Sequence, residues 1–580
     1  MSLTAITIEN FKGISSPVKV PLRPITLLFG ANSAGKSTII QAMQYAWEVL
    51  ENRNPDVDRT RLGGDLMDLG GFRNLVHGHD VEREIAITLH CSGSPAVDPY
   101  LPPNGYFSPA FGNDWIDGDN LNITNYFDFE EIAVRLTIGW NSSERRATIK
   151  TYDVLVNGDL FARMGERNTG NAQLRVEVGH PILSKATITA AEEFGAVLRD
   201  IVYFFAGFDP HDEDDEDTTD RLSELSSEEI EEMANLDLGS EEPAEFASER
   251  WPLLKTPDTV PLPNWGKNLQ IGDSIHPEVT PKGDAMEEMS SILSQLVCGV
   301  GEAVVNELRG IRYLGPLREV PERLYSIPLQ VRPERWANGL AAWDLLARGI
   351  EAKERDRDFL GDFNEYLGKL LQLGYSIRRE QRIRLAEDSR LMAELRLFAS
   401  RYEEYDGDTF RKKVLDPIES LKRDPALQLR DENQSVDVDP MDIGVGVSQV
   451  IPVVVGAMDD ECTIFAVEQP ELHIHPAVQT NLADIFIREQ LEHRKKKRIF
   501  LLETHSEHLI LRIMRRMRQT VEEQLPDEFP EVIPDDVAVL YVETVKGETL
   551  VREMPLNERG ELVKAWPGGF FEEGLRETLD

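Results

Sequence analysis

Three cysteines in 580 residues, Cys91, Cys298 and Cys462, are widely separated and form no CxxC pair. That scarcity argues against a disulfide framework or a zinc knuckle and suits a reducing compartment. Long apolar runs are missing too. None approaches the roughly 18 residues of a membrane span, and the opening MSLTAITIENFKG lacks the charged-then-apolar layout of a secretion signal. The expectation is a cytoplasmic protein without a membrane segment. Positive charge is also in short supply: 62 Lys and Arg face 103 Asp and Glu, a formal net charge of −41. Such a field opposes long-range attraction to nucleic acid, so any contact with it has to be local. Part of the acidic excess forms one block, residues 211–250, which reads as a solvated insertion and lacks the spaced ligands and turn glycine of a calcium loop. Sustained heptads are absent, which excludes a long coiled-coil arm.

What the chain does have is length and apolar content, 41% of its residues, enough for two to four domain-sized units with a substantial core. Residues 25–47, ITLLFGANSAGKSTIIQAMQYAW, run from an apolar strand pattern through a small-residue loop into a helical pattern. The loop Gly30-Ala31-Asn32-Ser33-Ala34-Gly35-Lys36-Ser37 matches G-x-x-x-x-G-K-[ST] in the strand-loop-helix setting that gives the motif meaning. Its glycines allow a tight turn whose amides converge on phosphate, and the following helix, with Thr38 in its first turn, adds its positive end. Lys36 is expected to meet the β- and γ-phosphates and Ser37 to hold magnesium through its hydroxyl.

A phosphate loop leaves the metal short of anionic ligands, so a second strand must present a carboxylate. ECTIFAVEQPELHIHP supplies an apolar run that ends in Glu468, at the carboxyl end where α/β sheets place their ligands. His473 and His475 with Glu471 could instead form a His-x-His metal site, although two imidazoles without further ligands are a weak signal and a turn explains them as well. RIFLLETHSEHLILRIMRRM, residues 498–517, is a further apolar strand ending in Glu503-Thr504-His505-Ser506 and entering a helix, and an imidazole there can donate to a γ-phosphate oxygen or to the attacking water. In DIGVGVSQVIPVVVGAM, residues 442–458, Gly444 and Gly446 are expected to bend a loop from which Ser448-Gln449 open an apolar helix, another amide-rich start able to bind phosphate.

These four pieces, in this order, resemble the nucleotide-binding unit of ABC-type ATPases, in the branch that contains RecF, structural-maintenance-of-chromosomes proteins and the ATPase halves of OLD-family nucleases. The opening ENFKGI followed by a short strand and the P-loop fits that branch. The resemblance implies an α/β P-loop NTPase head with an antiparallel β flank and a helical insertion. It divides the chain into an N-terminal lobe (1–210), the acidic insertion (211–260), a helical and mixed middle (261–430), a lobe with signature, Walker B and histidine switch (431–520), and a C-terminal hairpin and tail (521–580). The tail resembles the short domain of unknown function on stand-alone ATPases of this branch.

The resemblance also assigns roles. ATP would be held by Gly30, Asn32, Ser33, Ala34, Gly35, Lys36, Ser37 and Thr38, and Mg2+ by Ser37 and Glu468. Glu468, Gln469 and His505 would form the catalytic set. Gly446, Ser448 and Gln449 of a second copy would close on the same ATP, which implies a homodimer or higher oligomer through the heads. Where the family commonly has Asp-Glu, this chain has Glu468-Gln469. Gln469 would orient water without taking its proton, or Glu471 would turn inward as a substitute base; either implies slow turnover.

The chain lacks the Toprim nuclease part of OLD proteins, so a separate nuclease or toxin effector is expected, in anti-phage defence or DNA repair. Alternatives are a stand-alone DNA-binding ATPase and a non-hydrolysing sensor or scaffold. The basic clusters HRKKKR (493–498) and LRIMRRMR (511–518) read as solvated surface helix ends or as local contacts to nucleic-acid phosphates, without the aromatic interleaving of a single-strand binder. Residues 311–325, with Arg312, Arg318 and Arg323, are either a turn with solvated arginines or a segment near the nucleotide or dimer interface.

Overall fold

Short apolar strands with no polar face have to be covered on both sides. Five of them lie parallel in the order Ile311–Leu314, Ile464–Glu468, Ile499–Glu503, Ile25–Phe29 and Val537–Val545, and Glu548–Glu553 closes the edge antiparallel to the last. This computed structural model describes residues 2–64, 67–101, 106–107, 116–117, 122, 124, 129–166, 172–177, 180–182, 260–270, 284–323, 328, 330–348, 358–383, 385–400, 407–421, 423–492 and 498–567. The acidic block 211–250, residues 493–497 of the first basic cluster, and Phe570 and Phe571 lie outside them.

The pleat sorts the strand residues onto two faces. Ile464, Ala466, Ile499, Leu501, Leu28, Leu540 and Val542 belong to one core, together with the P-loop helix Lys36–Asn52 and the long helix Asp284–Arg309. Phe465, Val467, Phe500, Leu502, Leu27, Phe29, Val537 and Val539 belong to a second core with the helices Val445–Met458, Pro476–Ile487 and Glu507–Val521. Glu468 and Glu503 continue the first parity, so both carboxylates stand on the face that the P-loop helix covers.

A second, seven-stranded sheet closes over that first core. Its order is Ala172–Val176, Asp159–Glu166, Arg146–Val156, Ile132–Asn141, Ile85–Ser92, Ser2–Glu9 and Val18–Pro21, antiparallel throughout. The alternation in EIAITLHCS, IAVRLTIGWN and RATIKTYDVLV predicts these strands, and they form. Helical patterning in the middle region yields Leu340–Arg348, Phe359–Glu365 and Arg390–Ser400. Lys546 and Gly547 sit at the predicted hairpin turn, both with positive φ, 54° and 90°. A small sheet of Tyr375–Arg382, Asp424–Asp431 and Val436–Val438 was not legible, because YSIRREQR has too few apolar residues to show a period. Among the described residues no helix is long and apolar enough to cross a membrane.

The basic clusters are partly structural. Arg498 is buried and donates to the carbonyls of Ala457, Asp459 and Glu489 at 3.0, 3.0 and 2.8 Å. Arg512 and Arg516 reach the buried Asp484 at 2.6 and 2.8 Å, and Phe529 lies against the Arg516 guanidinium at 3.7 Å. These three side chains tie helices together and face no external phosphate, while Arg515 and Arg518 are exposed. Asp484→Ala, which leaves two paired guanidinium groups without their carboxylate, is expected to lower stability by roughly 3–5 kcal/mol, read by denaturant unfolding.

Candidate functional site

Residues 30–35 turn between the buried strand Ile25–Phe29 and the helix that begins at Lys36. Gly30 and Gly35 have φ of +148° and +98°, where a side chain is strained, and Ser33 adopts +63°. Lys36 is buried and its Nζ donates to the carbonyls of Gly30 (3.1 Å) and Ala31 (2.9 Å), 3.8 Å from Glu503 Oε1. Burial pulls its pKa down, and the charges of Glu503, Glu468 and Glu471 oppose the shift. Asn32 and Ser33 are exposed, Gly35 and Ser37 half-buried, Ala34 and Thr38 buried. The loop thus folds around its own lysine and presents amides and a hydroxyl at the carboxyl edge of the parallel sheet.

Two carboxylates meet this loop. Glu468 and Glu503 are paired in register across adjacent parallel strands. Ser37 Oγ donates to Glu503 Oε2 at 2.7 Å, and the Tyr313 hydroxyl donates to Glu468 Oε1 at 3.0 Å. Burial, then the neighbouring Glu503 charge, pushes the Glu468 carboxyl up to about 7; burial raises Glu503 also. Sequence reasoning assigned Ser37 and Glu468 to magnesium and overlooked Glu503, although it too ends an apolar strand in a carboxylate. Ser37, Glu468 and Glu503 are hard oxygen donors beside a phosphate loop, a set that fits a divalent cation carried in with a nucleotide. Among the described residues no group of three or more His, Cys, Asp or Glu is arranged to hold a metal by itself. The His-x-His alternative fails accordingly: His475 caps the helix Pro476–Ile487, its Nδ1 accepting from Ala477 N at 3.2 Å, and His473 turns the chain at φ +62°.

The remaining catalytic candidates follow the strand ends. Gln469 has φ +46° and its amide donates to the Glu503 carbonyl at 2.7 Å. Glu471 accepts from the Thr504 hydroxyl (2.8 Å) and the His505 amide (2.7 Å), which binds the Walker B turn to the histidine turn. Among the described residues His505 Nε2 is buried without a hydrogen-bond partner, and burial followed by the Lys36 charge lowers its pKa.

The signature stretch differs from its expectation. Its helix starts at Val445, three residues early, so Gly446 and Ser448 lie within the first turn and neither Gly444 nor Gly446 has positive φ. Gly446 is required for close approach: a Cβ there would lie 2.8 Å from the His473 carbonyl. Ser448 Oγ donates to the Val445 carbonyl at 2.9 Å. The structure joins this helix to the Walker B turn through Arg318, buried among carbonyls: it donates to Gln449 O (3.0 Å), Glu468 O (2.9 Å) and Gln469 O (3.0 Å), and Gln449 Nε2 returns a bond to Arg318 O at 2.9 Å. Burial lowers the Arg318 pKa to about 10. Arg323 and Arg312 instead pair with Asp442 (2.7 Å) and Asp459 (3.2 Å).

The C-terminal hairpin braces the loop from outside. A Cβ on Gly30 would lie 2.1 Å from the Val542 carbonyl. Thr549 donates through its amide to Gly13 O at 2.7 Å and through its hydroxyl to Ala34 O at 3.3 Å, and Trp566 meets Phe29 edge-on at 5.3 Å. Gly30→Ala is therefore expected to cost roughly 2–3 kcal/mol of stability by displacing Val542, measured by thermal and denaturant unfolding. Arg318→Met, which strips three buried carbonyls of a charged donor, is expected to cost roughly 2–4 kcal/mol by the same measurement.

Residues 1–63 match the AAA ATPase domain family, and residues 532–580 match a family described as a protein of unknown function, DUF3696. No curated protein matches the chain. Solved structures with similarity include an SMC head bound to the C-winged helix domain of ScpA (10% identity, TM-score 0.36, covering 96% of this chain and 99% of that one). The SMC head domain from Thermotoga maritima is another, at 9% identity and TM-score 0.33, covering 96% and 100%. At such TM-scores these structures add nothing to what the sheets themselves establish. A phosphate loop heading a parallel sheet and an antiparallel sheet folded over the loop's helix give the chain a P-loop α/β fold, in which residues 1–63 are similar to the AAA ATPase domain and residues 532–580 to DUF3696.

Proposed function

We propose that the protein binds ATP with Mg2+, hydrolyses it slowly, and acts as a dimeric switch on a separate effector, a nuclease or toxin, in anti-phage defence or DNA repair. The observation that carries the nucleotide reading is the convergence of Lys36, Ser37, Glu468 and Glu503 at the carboxyl edge of one parallel sheet. ATP supplies the phosphoryl group and Mg2+ the neutralising charge when they are bound. Lys36 leaves the Gly30 and Ala31 carbonyls for phosphate oxygens, while the loop amides and the helix start hold the remaining charge. Ser37 and Glu468 face the cation, and His505 Nε2 donates toward the terminal phosphate.

Slow turnover follows from the group that positions water. Gln469 orients a water molecule and accepts no proton. Glu471 is occupied by Thr504 and His505, so its use as a base would require both bonds to break. The dimer reading is supported by apolar residues left exposed at the start of the signature stretch, Met441 and Val445 at 53 and 57% of their full exposure, and by Leu317 at 69%, next to the Arg318 that bonds the signature helix. A second copy that closes Gly446, Ser448 and Gln449 onto this loop would cover them. A sensor that binds ATP without turnover is the second reading, favoured by Gln469. The DNA-binding reading loses the contacts expected at Arg498, Arg512 and Arg516, which are engaged internally.

Steady-state ATP hydrolysis, with and without double-stranded DNA, tests the proposal. The native chain is expected to turn over slowly, Lys36→Ala and Glu468→Gln to fall by roughly 100-fold or more, and Gln469→Glu to turn over faster. Light scattering with Mg2+ and ATP should give twice the monomer mass for Glu468→Gln. Turnover unaffected by Lys36→Ala would sink the reading; tight binding without turnover would leave the sensor.

A further inference from the structure

Gln469 stands where the related ATPases commonly have a second acidic residue, so the turn after Glu468 contributes one carboxylate fewer than the resemblance implies. The structure brings a second carboxylate to the Glu468 edge from the neighbouring strand. Parallel pairing sets Glu503 level with Glu468, and the pleat turns both toward the P-loop helix. Ser37 Oγ lies 2.7 Å from Glu503 Oε2 and Lys36 Nζ 3.8 Å from Oε1, so Glu503 contacts the two side chains that a bound triphosphate and its cation would engage. His505, two residues along from the same strand end, carries an Nε2 atom that is buried without a hydrogen-bond partner among the described residues.

Building on the nucleotide reading, we propose that Glu503 is the second carboxylate of the metal seat, facing with Ser37 and Glu468 the divalent cation that accompanies a nucleoside triphosphate. Before nucleotide arrives, the same carboxylate holds the Ser37 hydroxyl and balances Lys36. On binding, Lys36 turns to phosphate, Ser37 turns its hydroxyl oxygen to the cation, and Glu503 is released to face the same ion directly or through a bound water. Two carboxylates and a hydroxyl form a hard oxygen set for Mg2+ or Mn2+, the cation completing its shell with phosphate oxygens and water. A role confined to holding Lys36 and Ser37 predicts something different, an equal change in nucleotide affinity with and without metal.

The discriminating measurement is the affinity of a fluorescent ATP analogue for native chain, Glu503→Gln, Glu503→Asp and Lys36→Ala, in EDTA and in Mg2+, with Mn2+ electron paramagnetic resonance on the nucleotide complex. For Glu503→Gln, binding in EDTA should hold or tighten, because a negative charge beside the triphosphate is gone. Its gain in affinity on adding Mg2+ should shrink by about 10–100-fold, the range seen when groups around a metal are removed. Mn2+ should be held correspondingly less tightly, and Glu503→Asp should recover part of the loss. Thermal melts of the nucleotide-free variants separate these effects from misfolding, and for an unfolded Glu503→Gln the Asp variant carries the comparison, with a smaller metal gain expected than for the native chain. A full native Mg2+ gain in the folded variant overturns the proposal, as does an equal loss in EDTA and Mg2+. Native binding no tighter than that of Lys36→Ala would instead overturn the P-loop reading on which it rests.

Discussion

The register of the parallel strands is the constraint on which the site depends. Side chains alternate across the sheet, so a slip of one residue in Ile464–Glu468 or Ile499–Glu503 would carry its carboxylate to the opposite face, away from Lys36 and Ser37. What prevents the slip is burial on both sides. Ile464 and Ala466 are matched to the core under the P-loop helix, and Phe465 and Val467 to the core under the signature helix. Moving either set into the other's space would misfit both cores at once. Hydrophobic packing thus fixes an electrostatic arrangement that would not assemble by itself, since two buried carboxylates repel and burial raises the pKa of both.

Three further devices hold the loops at the sheet's edge. Arg318 uses backbone carbonyls from the signature helix and the Walker B turn as its hydrogen-bond partners, which makes the two turns one unit. Glu471 does the same for the Walker B and histidine turns. The C-terminal hairpin, which falls in the DUF3696 match, presses on Gly13, Gly30 and Gly35. The hairpin backs Gly30 and Gly35 on one side, and under the proposed function phosphate would approach them from the other.

Much of this was legible from the sequence because the signals were local. The P-loop is a contiguous string whose glycines, lysine and serine carry their own geometry, and Glu468 ends an apolar run where the chemistry needs a carboxylate. The antiparallel strands announced themselves by alternation. Glu503 was missed because its significance is relational: nothing within LLETHS states that the strand sits between Glu468 and the P-loop. Arg318 was ambiguous for the same reason, an arginine in a turn being solvated or buried according to partners more than 130 residues away. The signature helix began early because Gly444 served as its cap and took no left-handed turn. Arg498, Arg512 and Arg516 looked like a surface charge run, and Asp484, which no sequence pattern tied to them, draws two of the three inward.

Hydrogen–deuterium exchange with and without ATP and Mg2+ tests the central claim most directly, because it reports each loop separately and requires no turnover. The account predicts slowed exchange at 30–38, 468–471 and 503–506, lost in Lys36→Ala, with protection at 444–449 appearing as the dimer closes. Unchanged exchange across 30–38 in the presence of ATP would contradict it.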